Sequence, residues 1–271
     1  MKKILFLSLI IAACSTTKQP ASPEQPQQPV ANQTAGVVHG KFFTSVFQQT
    51  AAEYEALCFQ AFSLAKWRLD QALLSKSDKP KAIITDIDET ILDNSQYAIH
   101  RALQGKDYEP LSWAEWIDRS EADTVPGAAW FLKYAASKGV EIFYITNRDE
   151  KDRNGTEKNL EIFNLPNRDM RHLIMRQGVS SKENRRREIQ GGFDVVLFIG
   201  DNLADFAADF DKKPLEEREI IVRKLSHEFG SRFILIPNPV YGDWESALYG
   251  NNSSYSLKQK DSILKASVKT Y

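Results

Sequence analysis

The feature that most constrains this chain is a recurrence of short apolar runs, rich in β-branched and aromatic residues, separated by stretches with helical spacing. Four such runs are Lys81–Thr85, Val140–Thr146, Val195–Gly200 and Phe233–Pro237, with a weaker fifth at His172–Met175. Runs of this length with few polar interruptions read as strands buried on both faces. The segment Gly127–Lys138 reads as a helix, with Pro126 near its start and Gly139 after its end. Ahead of the first strand, Phe47, Ala51, Tyr54, Cys58, Phe62, Ala65, Leu69 and Leu73 predict one long amphipathic helix or two shorter ones over about Thr44–Ser75. Strands alternating with helices predict an α/β fold, a mostly parallel sheet flanked by helices. Ligands in such folds sit beyond the carboxyl ends of the strands, where the chain order switches. The polar residues at those ends are therefore the candidates for chemistry.

The first strand runs into Asp86-Ile87-Asp88-Glu89-Thr90. Two carboxylates two residues apart, just past an apolar strand, are costly if buried without partners. A metal cation or a phosphoryl reaction would justify them; an ordinary helix cap with loop acids would also account for the pattern. Three further places fall at the same predicted sheet edge. They are Thr146-Asn147-Arg148, Lys182 within Ser180-Ser181-Lys182-Glu183, and Gly200-Asp201-Asn202-Leu203-Ala204-Asp205. Acids, a hydroxyl and a lysine at one edge form a set.

That set resembles the haloacid dehalogenase (HAD) superfamily of aspartate-nucleophile phosphatases. More closely, Ile84 to Tyr97 together with Gly200 to Phe206 look like the class C acid phosphatases, a group that includes outer-membrane lipoprotein 5′-nucleotidases. The similarity runs from about residue 45 to 250. It implies an HAD-like Rossmannoid domain over 39–250 with a small, mainly helical cap inserted at about 94–125. It further implies that Asp86 attacks phosphorus and that Asp88 protonates the leaving oxygen and then deprotonates water. The implied cofactor is Mg²⁺, held by the Asp86 carboxylate, the Asp88 backbone carbonyl and Asp201, an all-oxygen set suited to a hard cation. Thr146 and Lys182 would hold the phosphoryl oxygens. Asp205 and Asn147 would support these groups from behind, and Arg148 would do the same or form an ordinary ion pair.

Aromatic residues mark the substrate side. Trp113 and Trp116 fall in the cap segment, while Tyr241 and Trp244 follow the last strand. Stacking on a base contributes about 1–3 kcal/mol. In the nucleotidase branch a tryptophan and a tyrosine sandwich the base or nicotinamide ring, and Trp113 and Tyr241 look similar to those positions. Trp116 and Trp244 are expected in the core, as is Cys58. Arg185-Arg186-Arg187 reads as a solvated helix face, and the polar tail 251–271 as loosely attached.

The start of the chain differs from the rest. A basic Met1-Lys2-Lys3 precedes the apolar run Ile4–Ala13, which is shorter than the roughly 20 residues a spanning helix needs. Ile11-Ala12-Ala13-Cys14 resembles a bacterial lipobox, so residues 1–14 are expected to be an export signal ending in a lipidated Cys14. Ser15 beside it resembles the outer-membrane sorting pattern. Residues 15–38, with Pro20, Pro23, Pro26 and Pro29 among many Gln, Ser and Thr, read as a disordered tether. The expected partners are thus a membrane, through the anchor, and a small phosphomonoester. Lys plus Arg at 35 nearly balance Asp plus Glu at 36, so no basic surplus favours a nucleic-acid polymer. The resemblance also brings an expectation of homodimers.

The leading expectation is an extracytoplasmic, Mg²⁺-dependent acid phosphatase acting on nucleoside 5′-monophosphates, including nicotinamide mononucleotide. The alternatives are a broad phosphatase without nucleotide preference and a surface binding lipoprotein for haem or adhesion. No Cys-x-x-Cys-His motif or axial ligand pair supports haem.

Overall fold

The computed structural model describes residues 36–271. Cys14, the signal segment and most of the expected tether lie outside the described residues. Helices α1 (Gly36–Thr50) and α2 (Ala52–Leu73) come first, followed by strand β1 (Lys81–Thr85). Next are β2 (Leu92–Asp93), α3 (Ser95–Leu103), α4 (Pro110–Arg119) and β3 (Asp123–Thr124). The chain then alternates through α5 (Ala128–Ser137), β4 (Glu141–Asp149), α6 (Arg153–Ile162), β5 (Leu173–Arg176), α7 (Glu183–Gly192), β6 (Asp194–Gly200), α8 (Leu215–Lys224) and β7 (Phe233–Leu235). Helices α9 (Asp243–Leu248) and α10 (Leu257–Ser267) come last.

Five strands form a parallel sheet in the order β5-β4-β1-β6-β7. The α/β expectation holds. The strands are apolar on both faces because both are covered. On one face Ile83, Ile142, Tyr144, Leu197 and Ile199 pack with Phe62 and Leu69 of α2 and with Phe131 and Leu132 of α5. On the other, Ala82, Ile84, Phe143, Ile145 and Phe198 pack with Ile189 of α7 and with Phe206. Each fully buried side chain of this size contributes about 1.5–3 kcal/mol.

The switch in chain order sits at β1. The chain leaves it for β4 and β5 on one side and returns through β6 on the other. Thr85, the last residue of β1, lies level with Tyr144 of β4 and Ile199 of β6. Residues just past these three points therefore share one edge.

Helices α3 and α4 lie in the segment expected to form a cap. The antiparallel pair β2–β3, with Leu92 opposite Thr124, brackets them. Helix α4 starts where Glu109 accepts the Leu111 and Ser112 amides, both at 2.9 Å, with Pro110 at the first turn. It stops at Ser120, which adopts a left-handed φ of 56°.

Of the two alternatives for the first helical stretch the structure shows two helices, broken at Ala51, whose ψ of 120° is extended. Several other expectations change. Helix α1 begins at Gly36, and Val37 and Val38 are buried, so the last residues assigned to the tether are structured. Residues 251–271 are not loose. Leu257 and Leu264, seven apart on α10, pack on Val37, Val38 and Ala102, and the Asp261 carboxylate accepts the Gly36 and Val37 amides at 2.7 and 2.8 Å. A carboxylate at a helix N-terminus meets both free amides and the positive end of the dipole. Trp244 is 40% exposed rather than in the core, because short α9 turns Glu245 and Ala247 inward instead.

A half-buried ion cluster ties α10 to the cap segment. Asp107, between α3 and α4, accepts from Lys41 of α1 at 2.7 Å and from Lys260 at 2.9 Å, and Lys41 also pairs with Glu245 at 3.2 Å. Burial opposes the Asp107 charge, but Lys41 and Lys260 outweigh it and hold the carboxyl down to about 2. A carboxyl depressed below its unfolded value of about 3.9 stabilises the fold fully above that pH and loses its contribution as pH falls toward 2. The native protein is therefore expected to lose roughly 2 kcal/mol more unfolding free energy between about pH 5 and pH 2 than Asp107→Asn does. Urea unfolding across that range checks this, and parallel pH profiles would contradict it.

Candidate active site

The turn after β1 closes on itself. The Ile91 and Leu92 amides donate to the Ile87 carbonyl at 2.8 and 2.9 Å, and buried Ile87, Ile91 and Leu92 anchor it in the core. Glu89 takes a left-handed φ of 56° to make that turn. Asp86 stays tied to the sheet, its amide donating to the Ile199 carbonyl at 2.9 Å. Asp86 and Asp88 line a cavity of about 1140 Å³ together with Lys182, Asp201, Asp205, Trp113, Tyr241 and Asn147. The structure thus brings together every sequence-predicted site residue within the described range except Thr146. The strand runs on to Asp149, so that residue is fully buried inside β4, and its hydroxyl accepts the Arg148 amide at 3.1 Å.

Lys182 sits at the N-cap of α7 and reaches the sheet edge from there. Its ammonium donates to Asp86 and to Asp205, the latter at 2.7 Å, with its side chain 7% exposed. Burial alone would lower its pKa, yet Asp205 and Asp86 more than offset that and raise it. Asp205 is fixed by its own turn: its carboxylate accepts the Asn202 amide at 3.0 Å. A Cβ on Gly200 would lie 2.5 Å from the Asp205 Cβ, so glycine is needed where β6 ends for Asp205 to come this close.

Carboxylate oxygens of Asp86, Asp201 and Asp205 all lie within 4.8 Å of one another. Burial, reduced by Lys182 and increased by Asp205 and Asp88, pushes Asp86 up to about 7. Burial followed by repulsion from Asp205 and Asp86 drives Asp201 well above the carboxylate range. One lysine does not balance three acids crowded at a partly buried edge. A hard divalent cation fits this all-oxygen set and would restore the ionised forms. Asp201 is already aimed, accepting from Thr90 at 3.1 Å and from Asn238 at 2.7 Å.

Asp88 is held differently. Arg148 grips it through Nη2 at 2.7 Å and Nε at 3.1 and 3.2 Å, while Asn94 donates to the same carboxylate at 3.0 Å. The Asn94 amide is oriented in turn by Trp116, whose Nε1 donates to Asn94 Oδ1 at 2.9 Å. Of the two readings open for Arg148, the structure shows support of Asp88. Glu89 is buried beside them and accepts from Asn94 and from the Tyr241 hydroxyl. Burial, with repulsion from Asp88, pushes its carboxyl up to about 8.

The arginine triplet needs correction. Arg185 and Arg186 are buried, and only Arg187 is solvated. Arg185 donates to the Thr146 carbonyl at 2.6 Å and to Asn147 Oδ1 at 2.8 Å. Arg186 donates to the Ala204 and Asp205 carbonyls at 2.7 and 2.9 Å. Together they clamp the last part of β4 and the turn after β6, on either side of Asp86. Sequence spacing gave no sign of this, because these partners lie 18 to 39 residues away. Asn94 and Asn238 also escaped the sequence reading; nothing in local pattern distinguishes a loop asparagine that holds a carboxylate.

On the cavity wall, Trp113 packs edge-on against Tyr97 at 5.0 Å and lies 5.8 Å from the Arg148 guanidinium. Tyr241 is anchored through its hydroxyl on Glu89. An anionic ester entering here would meet an acid pair, a lysine and two aromatic walls.

Comparison with known proteins agrees with this geometry. The family model for the HAD superfamily, subfamily IIIB (Acid phosphatase), matches residues 8–244. The class C acid phosphatase from Bacillus anthracis is similar at 40% identity and a TM-score of 0.84, over 87% of this chain and 99% of that one. Its tungstate-bound form superposes at 0.83, with 40% identity over 86% of this chain and 98% of that one. Acid phosphatase 1 of Solanum lycopersicum is 23% identical over 166 residues, 58% of this chain. Vegetative storage protein 2 of Arabidopsis thaliana is 24% identical over 170 residues, 60% of this chain. The matches span 57% and 62% of the length of these two curated relatives.

Proposed function

The chain belongs to subfamily IIIB of the HAD superfamily, the acid phosphatases, and on that premise we propose that it hydrolyses nucleoside 5′-monophosphates, nicotinamide mononucleotide among them. The observation that carries this reading is the convergence of Asp86, Asp88, Asp201 and Lys182 in one cavity with Trp113 and Tyr241 on its wall.

Asp86 attacks phosphorus, the ester oxygen departs with a proton from Asp88, and an aspartyl-phosphate is left on the enzyme. Asp88 then takes a proton from water as that water attacks phosphorus, releasing phosphate and regenerating Asp86. Arg148 and Asn94 keep the Asp88 carboxylate aimed through both steps. Lys182 holds the phosphoryl oxygens as charge builds on them, while the buried Thr146 hydroxyl supports the site from behind through the Arg148 amide. Mg²⁺ would be held by the Asp86 carboxylate, the Asp88 backbone carbonyl and Asp201. When bound, it supplies the positive charge that lets an anionic nucleophile approach an anionic ester. Asp205 fixes the Lys182 ammonium.

Lipid attachment at Cys14, residence at the outer membrane and association into dimers belong to the same proposal and rest on the sequence. An enzyme so placed would strip charge from nucleotides that cannot cross the inner membrane.

The discriminating experiment is Trp113→Ala, assayed on adenosine 5′-monophosphate and on p-nitrophenyl phosphate. Loss of a stacking wall should raise the nucleotide KM about 5- to 150-fold, the equivalent of about 1–3 kcal/mol. The aryl ester should respond far less. Unchanged nucleotide kinetics would leave a broad phosphatase without base recognition.

A further inference from the structure

The cavity is much larger than a phosphate group requires. Its volume of about 1140 Å³ lies above the usual range of about 300–1,000 Å³ for small-molecule sites. The phosphate-binding end lies among Asp86, Asp88 and Lys182. All four members of the ion cluster Lys41, Asp107, Glu245 and Lys260 line the same cavity. Helix α3 runs between the two groups. Asn94, just before it, bonds to Asp88, and Arg101 near its other end donates to the Asp107 carbonyl at 3.0 Å. Seven residues at helical rise separate Asn94 from Arg101, so the cluster lies roughly 10 Å along the helix from the general acid. That is the reach of a ribose and base beyond a phosphate.

The cluster joins four separate pieces of chain: α1, the loop after α3, α9 and α10. Its side chains are only 11–18% exposed, and its two cations match its two anions. It therefore offers no net charge to a second phosphate. Glu245 and Lys260 also lie beyond residue 244, where the family match ends.

We infer that the Lys41–Asp107–Lys260–Glu245 cluster fixes the far wall of the substrate cavity and so selects esters long enough to carry a nucleoside. The inference rests on the nucleotide reading above and names the residues that set its length preference. They are positioning residues: each acts by clasping the cap segment to α1, α9 and α10, not by touching phosphorus. Removing the Asp107 charge leaves Lys41 with Glu245 alone and Lys260 without its carboxylate partner, and the wall parts.

The test compares kcat and KM on adenosine 5′-monophosphate and p-nitrophenyl phosphate for the full chain, Asp107→Asn and Lys260→Gln. The second variant removes only one arm of the cluster and keeps the test open if the first fails to fold. The expected result is a nucleotide KM raised by about 5-fold or more, with nucleotide kcat and both aryl phosphate constants within about 2-fold of wild type. A folded variant with unchanged nucleotide KM would overturn the inference. So would a parallel loss on both esters, since that would place the effect at the phosphate end. A wild-type protein with no advantage for the nucleotide over the aryl ester would instead sink the nucleotide reading, and this inference with it.

Discussion

Asp86→Asn is expected to lower phosphate release from any monoester by about 10⁴-fold or more, the scale seen when a covalent nucleophile is removed. The change keeps the shape of the side chain and removes the attacking oxygen together with its charge, and with it one of the donors proposed for Mg²⁺. It should not unfold the protein. Burial already pushes the Asp86 carboxyl up to about 7, so its charge is a burden on the fold rather than a support. Lys182 keeps Asp205 at 2.7 Å as its partner when Asp86 is neutral. In EDTA the melting temperature of Asp86→Asn should therefore equal or exceed that of the native protein, and with Mg²⁺ added the variant should show no activity. Measuring both on one preparation separates loss of chemistry from loss of structure. Activity surviving in a folded variant would rule out Asp86 as the nucleophile.

Removal of divalent metal is expected to have the next largest effect, about 10³-fold, reflecting the several kcal/mol of charge stabilisation a bound cation supplies. EDTA should abolish turnover and added Mg²⁺ should restore it. A readout independent of activity follows from the acid cluster. Asp86, Asp201 and Asp205 crowd within 4.8 Å, so a cation that relieves their repulsion binds the folded state and stabilises it. The gain should approach about 2.7 kcal/mol when Mg²⁺ is present at one hundred times its dissociation constant. A thermal melt in rising Mg²⁺ measures this. Asp201→Asn should lose most of the metal-dependent gain while starting from an equal or higher melting temperature in EDTA. A native protein with no metal-dependent shift and full activity in EDTA would contradict the assigned donor set.

The sheet was legible because strand identity is a local property. Lys81–Thr85 was read as a strand from five residues and is β1 with the same bounds. Parallel topology followed from alternation, and the edge holding the acids followed from topology. What was not legible depends on partners distant in sequence. Two-residue strands such as β2 and β3 show no periodicity, and they exist because Leu92 and Thr124 meet across the cap segment. Arg185 and Arg186 carry the same charge as solvated Arg187, and only the tertiary fold turns them onto carbonyls at the sheet edge. Asn238 reaches Asp201 across 37 residues. The attachment of α10 depends on two leucines, Asp261 and Lys260, too sparse a stripe to stand out in a polar tail. Recognition of the acid set came from a long motif around Asp86; the residues that aim those acids became visible only in three dimensions.

The stereochemical course at phosphorus tests the central claim most directly. Hydrolysis through Asp86 and then water is two in-line displacements, each inverting the phosphorus centre. Turnover of a nucleoside monophosphate made chiral with oxygen isotopes and sulfur should therefore give inorganic thiophosphate with net retention of configuration. Net inversion would show direct attack by water and would contradict the covalent role assigned to Asp86.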